Sequence, residues 1–226
     1  MSVRHERAMH RAASLVGGYA AIYTVLMRMS LGSSQTVNLL EALSSLLSKC
    51  FAQAFLFFLG SVIYGVSVFA ASYLKQKGKA DVCNISAVIN IAGFLILGVL
   101  PTDIPPVVGL YPTFIMMSFM WVVFGSMGGY ASAPIFSTNN FRQTVGSIAE
   151  YCADGDKKHL DKAKYFAGTL LMFHIGAAAG YAGCLAAGKY AAFFGILPCA
   201  LLLAAVNAPK LVSLVNSAKS HSPLNN

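Results

Sequence analysis

Charge is what this sequence lacks. Only 11% of its 226 residues are Asp, Glu, Lys or Arg, against about 25% in a typical soluble domain. A soluble chain of this length would have too few charged side chains to cover the outside of its core. Cysteine is sparse too. The five residues Cys50, Cys83, Cys152, Cys184 and Cys199 are odd in number, scattered, and form no C-x-x-C pair, which excludes a disulfide framework and a cysteine metal centre. There is no G-x-S-x-G, Walker A, dinucleotide fingerprint or H-E-x-x-H spacing. Acids are half as numerous as bases, 8 against 16, giving a net charge of +8. The basic residues sit in short clusters between apolar runs, without a basic stripe or aromatic interleaving. They therefore read as orientation signals and not as a nucleic-acid surface.

What the chain has in abundance is apolar residues, 57% of the total. That excludes disorder and leaves a polytopic membrane protein. Six apolar runs stand out, at about Ala12–Met27, Cys50–Leu74, Ile85–Leu100, Leu110–Ala131, Tyr165–Ala187 and Tyr190–Val206. Each approaches the roughly 20 residues that a helix needs to cross a bilayer. None shows the alternation of an outer-membrane barrel. Two further segments, Gln35–Leu47 and Gln143–Ala153, are too short and too polar to span. Each follows a breaker-rich stretch, SLGSS at 30–34 and SAPIFSTNN at 132–140. They predict half-helices that are re-entrant or broken.

An internal repeat emerges from ordered matches. Gly-Gly-Tyr-Ala occurs at 17–20 and 128–131, then Gln-Thr-Val at 35–37 and 143–145. An F-x-x-G pattern follows, at Phe57 and Gly60 and again at Phe173 and Gly176. The expected fold is all-α: six transmembrane helices plus two half-helices, as two inverted repeats. The expected organisation is a cytoplasmic N-terminal tail at 1–11, a first membrane repeat at 12–106, a second at 107–208 and a cytoplasmic C-terminal tail at 209–226. Six spans put the N-terminus, Lys75, Lys77, Lys79, Lys157, Lys158, Lys162, Lys164, Lys210 and Lys219 on one side. Arg28, Lys49, Asp103 and Lys189 fall on the other. The lysine-rich side is then cytoplasmic.

These residues resemble the YoaK-like family of bacterial inner-membrane proteins, long carried as a domain of unknown function. The likeness rests on Gly17-Gly18-Tyr19, on Thr36-Val37-Asn38 in place of a Thr-Gly-Asn string, on the small-residue stretch Gly125–Ala133, on Ser137–Gln143, on Thr144-Val145-Gly146, and on Phe173-His174-Ile175-Gly176-Ala177. It runs over about residues 12 to 206. The resemblance implies an inner-membrane transporter and carries no settled substrate.

The half-helices supply the candidate site. A helix start carries a partial positive charge and free N–H groups, and two such ends meeting in the membrane would bind an anion or a polar solute. Gln35, Thr36 and Asn38 lie at the first start. Asn139, Asn140, Arg142, Gln143 and Thr144 lie at the second. Each could equally be a simple cap. Tyr19 and Tyr130, after the paired glycines, are candidates to line the cavity. Glu41, Glu150 and His174 are candidates for proton or ion coupling, as ionisable groups in or near membrane segments. No metal and no cofactor is expected. The expected function is a transporter or permease for a small polar solute, anionic ones included, working by alternating access without being an enzyme. An integral-membrane enzyme on a lipid-borne substrate and a non-transporting scaffold subunit are the alternatives. The bilayer is the expected environment, and the glycine faces would allow a homodimer.

Overall fold

The computed structural model describes residues 2–78 and 81–220, with side chains as far as 210. Lys79 and residues 221–226 of the expected C-terminal tail lie outside the described residues, as do the side chains of 211–220. In chain order the α-helices are α1 (Val3–Arg28), α2 (Gln35–Leu47), α3 (Phe51–Lys77), α4 (Val82–Val99), α5 (Pro106–Phe124), α6 (Thr138–Asp154), α7 (Lys157–Ala187), α8 (Ala191–Phe194) and α9 (Ile196–Ser220). Short 3-10 turns lie at Met127–Gly129 and Gly188–Tyr190. Among the described residues there is no strand.

Local chemistry explains the ends. Ser2, Asp81 and Asp156 cap α1, α4 and α7, each accepting a backbone N–H from the first turn. Gly78 and Gly155 close α3 and α6 in the left-handed conformation. Pro106 opens α5, where its missing N–H costs nothing. Helix α1 starts at Val3, so most of the expected N-terminal tail is helix. Helix α9 likewise runs on through Pro209 to Ser220.

The exterior is apolar. Phe55, Phe58, Val62, Val66 and Phe69 on α3, Leu171, Ile175 and Leu185 on α7, and Leu197 and Leu201 on α9 are all exposed. Four stretches are long and apolar enough to cross a membrane: 51–77, 82–99, 106–124, and 157–210, which holds α7 to α9. Such a surface is consistent with a membrane protein. Helix α1 is less apolar because its first turns carry Arg4, His5, Glu6, Arg7, His10 and Arg11, and its later turns are largely covered by protein. Met9, Ala13, Val16, Ala20 and Tyr23 are buried in the central core with Phe94, Met116, Met120 and Phe124.

Helix α1 packs on α7 as α5 packs on α3. Helix α2 packs on α3 as α6 does on α7, and α4 on α5 as α9 does on α1. Contacts of α1 with α5 and of α4 with α9 complete the bundle. Exchanging α1, α2, α3, α4 for α5, α6, α7, α9 maps each of these pairings onto another. The F-x-x-G motifs obey this exchange. Phe57 and Phe173 are both buried, Gly60 faces the Phe114 ring on α5, and Gly176 faces the Leu15 carbonyl on α1.

The Gly-Gly-Tyr-Ala strings do not obey it. Gly17–Ala20 lies inside α1. Gly128 and Gly129 lie beyond the end of α5 with φ of 82° and 94°, a turn conformation that L side chains resist. A shared tetrapeptide here serves two different backbones. The Gln-Thr-Val strings also differ in place, because α6 begins at Thr138, more than a turn ahead of the expected Gln143. The strings that do coincide are Thr36-x-Asn38 and Thr138-x-Asn140, each in the first turn of its short helix.

Candidate functional site

The starts of α2 and α6 open on one pocket of about 540 Å³, lined by Ser34, Gln35, Thr36, Tyr64, Trp121, Phe136, Thr138, Asn139 and Arg142. Two helix N-termini thus contribute to a single wall, with their unpaired N–H groups and partial positive charge. The first start is capped: Ser34 Oγ accepts from the Val37 N–H at 3.5 Å. The second has no side-chain cap. Trp121 and Phe136 meet edge to face at 5.4 Å and form an aromatic wall. A second pocket, of about 320 Å³ between α2 and α3, is lined only by apolar side chains such as Leu43, Leu46, Phe51 and Phe55 and offers no polar chemistry.

Both asparagines of the T-x-N strings brace the site from behind. Asn38 is 4% exposed and donates to the Phe57 carbonyl at 3.1 Å and to Ser61 Oγ at 2.7 Å. Asn140 is 0% exposed and donates to the carbonyls of Ala133 at 2.9 Å and Phe136 at 2.8 Å. Thr144 turns back to the Asn140 carbonyl at 2.8 Å, and Gln143 does not line the pocket. Arg142 lines it and reaches Asn139 Oδ1 at 3.4 Å. Two donors at the wall have no partner: Tyr64 OH and Gln35 Nε2 are buried without a hydrogen bond.

The remaining candidates lie elsewhere. Tyr19 is in the core, donating to the Ala191 carbonyl at 2.7 Å and meeting Phe94 edge to face. Tyr130 donates to Asp161 Oδ2 at 3.3 Å, under the Arg7 guanidinium. Arg7 grips both Asp161 oxygens, at 2.9 and 2.7 Å. That fork holds the Asp161 carboxyl below its usual range. Glu41 is exposed on α2. Glu150 pairs with His159 at 2.9 Å and Lys162 at 3.5 Å. His174 is exposed and bonds its own helix at the Leu170 carbonyl, 2.8 Å away. These three do not gather at the pocket. Among the described residues no three His, Cys, Asp or Glu side chains gather as a metal site requires.

Sequence reasoning missed Ser34, Tyr64, Trp121, Phe136 and Thr138. Thr138 was detectable, because Thr138-x-Asn140 repeats Thr36-x-Asn38. The aromatic residues carry no such signal: they reach the pocket from α3, α5 and the loop after α5 only through packing.

Among known proteins, the model of one family matches residues 9–206; it is described as a protein of unknown function, DUF1275. No curated protein matches the chain. No solved structure matches it either.

Proposed function

We propose that this chain, which belongs to the DUF1275 family, is an inner-membrane transporter that binds a small polar solute between the starts of α2 and α6. Helices α1, α3, α4, α5, α7 and α9 are its six spans. The two sets related by the packing exchange are its inverted repeats, and they rock against each other to alternate access. The end of the bundle that carries Arg4, Arg7, Arg11, Lys75, Lys77, Lys157, Lys158 and Lys210 faces the cytoplasm, by the excess of basic residues there.

The observation that carries this reading is the shared pocket. Its walls come from both halves of the chain, and its buried donors on Tyr64 and Gln35 are unpartnered. The polar side chains that line it, Ser34, Gln35, Thr36, Thr138, Asn139 and Arg142, include donors from both helix starts, so such a wall suits a ligand that accepts hydrogen bonds. Arg142 adds a planar fork suited to a carboxylate or phosphate. The solute class is therefore a small organic anion with oxygen acceptors.

The test is uptake of a panel of carboxylates and phosphate esters into liposomes holding the protein alone, with Trp121 fluorescence reporting binding. Arg142→Ala and Gln35→Ala should each lower uptake about tenfold or more, as expected for loss of a charge-assisted or buried hydrogen bond, with the fold intact by circular dichroism. No flux with any member of the panel, or undiminished flux in Arg142→Ala, overturns the reading.

A further inference from the structure

Three short contacts run in series at the basic end of the bundle. His10 Nδ1 lies 2.8 Å from the Phe124 carbonyl oxygen. His10 Nε2 lies 3.0 Å from Ser132 Oγ. Ser132 Oγ lies 2.7 Å from Asn140 Oδ1. His10 and Asn140 are 0% exposed and Ser132 is 3% exposed.

The protons in this series do not add up for a neutral histidine. Both ends only accept. The Phe124 carbonyl has no proton. The orientation of the Asn140 amide is fixed by its nitrogen, which donates to two carbonyls, so an oxygen faces Ser132. Three contacts need three protons. A neutral imidazole supplies one and the serine hydroxyl another. Every arrangement of those two leaves a pair of lone pairs facing each other at one contact. The neighbouring Tyr165, stacked on the imidazole at 5.4 Å, gives its own proton to the Met127 carbonyl at 2.6 Å. Only an imidazolium completes the series.

We propose that His10 is a proton-binding site whose charged form ties α1 through Ser132 to the first turn of α6, and so sets the shape of the pocket. The path to the pocket is short. Asn140 holds the Phe136 carbonyl, Phe136 lines the pocket against Trp121, and Thr138 and Asn139 share the first turn of α6 with Asn140. The proton comes from bulk water. One ring nitrogen gains an N–H as an O–H bond of a hydronium ion breaks and releases water. As a device coupling protons to the solute it rests on the reading above; as a proton site it stands on the contacts alone.

The charged and titratable groups around His10 oppose each other. From α1 come Glu6, Arg7 and Arg11. From α7 come Tyr165 and Asp161, the latter already held by Arg7. Lys75 of α3 caps the last turn of α5 through the Val122 carbonyl at 2.7 Å. Burial pushes the imidazole pKa down, the Phe124 carbonyl pulls it up, and the charge of Arg11 lowers it further. The ring is therefore neutral at pH 7 with one contact unmet, and it charges below the ordinary histidine value of about 6.5.

The experiment follows the chain's single tryptophan, Trp121, in lipid nanodiscs between pH 8 and 2.5, since burial pushes the His10 pKa down to about 4, beside ¹⁵N spectra of labelled histidine. The expected result is one Trp121 emission step below pH 6.5, at the same midpoint as conversion of one imidazole to the doubly protonated form. The step should vanish in His10→Gln and persist in His159→Gln and His174→Gln. Asn140→Asp places a carboxylate at the end of the series and should raise the midpoint by about one pH unit or more. Ser132→Ala removes the hydroxyl that accepts from the charged ring and should lower it. A step that survives in His10→Gln, or a midpoint unmoved in Asn140→Asp, overturns the proposal. No solute enters this measurement. A titrating His10 in a protein without flux supports this proposal and sinks the transporter reading, and pH-silent Trp121 in a protein with flux does the reverse.

Discussion

Gly18 of α1 sits directly on the carbonyl oxygen of Phe173 in α7, and any β-carbon at position 18 would overlap it. Gly176 meets the Leu15 carbonyl of α1 in the same way from the other side. This pair of close approaches brings the two helix backbones together without intervening side chains, the mode by which helices associate where lipid removes the hydrophobic drive.

Gly18→Ala and Gly176→Ala should each therefore destabilise the protein by about 1–3 kcal/mol or more, the cost of overpacking against backbone that cannot yield. Gly65→Ala, on α3 with nothing within 4 Å of the added carbon, should stay within about 0.5 kcal/mol of the parent. Thermal melts in detergent check the contrast. Equal losses at positions 18 and 65 would contradict the close contact.

Arg7 and Asp161 tie α1 to α7 ahead of the apolar run that begins at Tyr165. The Asp161 pKa is lower folded than unfolded, first through the Arg7 hydrogen bonds. A depressed acid stabilises the fold above its unfolded value of about 3.9, and that contribution disappears as pH falls through the folded value. The pair is solvent-accessible, with side chains 26% and 50% exposed, so the effect is at most about 1 kcal/mol. Asp161→Asn should melt slightly earlier than the parent at pH 7, and the gap should narrow as pH falls below about 3.9 towards the folded Asp161 value. A gap that widens in acid would reverse the assignment.

Cys50 and Cys152 are both exposed, one just after α2 and one near the end of α6. Under the proposed topology they lie on opposite sides of the membrane. An impermeant maleimide applied to intact cells should label Cys50 alone, and permeabilised cells should label both. Labelling of Cys152 in intact cells would invert the orientation.

Much of the fold was legible in the sequence. Helix α2 spans Gln35–Leu47, the bounds that its polar start, breaker-rich lead and apolar run predict. The long helices follow from runs of apolar residues, because a helix satisfies its backbone wherever it lies. The F-x-x-G pair was legible for the same reason: a small residue every few positions marks a face that another helix must approach. The Gly-Gly-Tyr-Ala pair misled, because four residues do not specify whether a backbone continues as helix or turns.

Which polar side chains act together was not legible. His174 looked eligible as a histidine on an apolar helix, yet it points outward to its own backbone, while His10, in a basic stretch that reads as a tail, is fully buried between two acceptors. Sequence determined the all-helical class, the apolar middles of the long helices and the start of α2, since composition, periodicity and capping are local, while the starts of α1, α6 and α7 lie further upstream than their apolar runs suggest. The meeting of those starts around Tyr64, Trp121 and Arg142, and the enclosure of His10 against Ser132, were decided by how the helices cross, because only packing brings side chains from distant turns within hydrogen-bonding range.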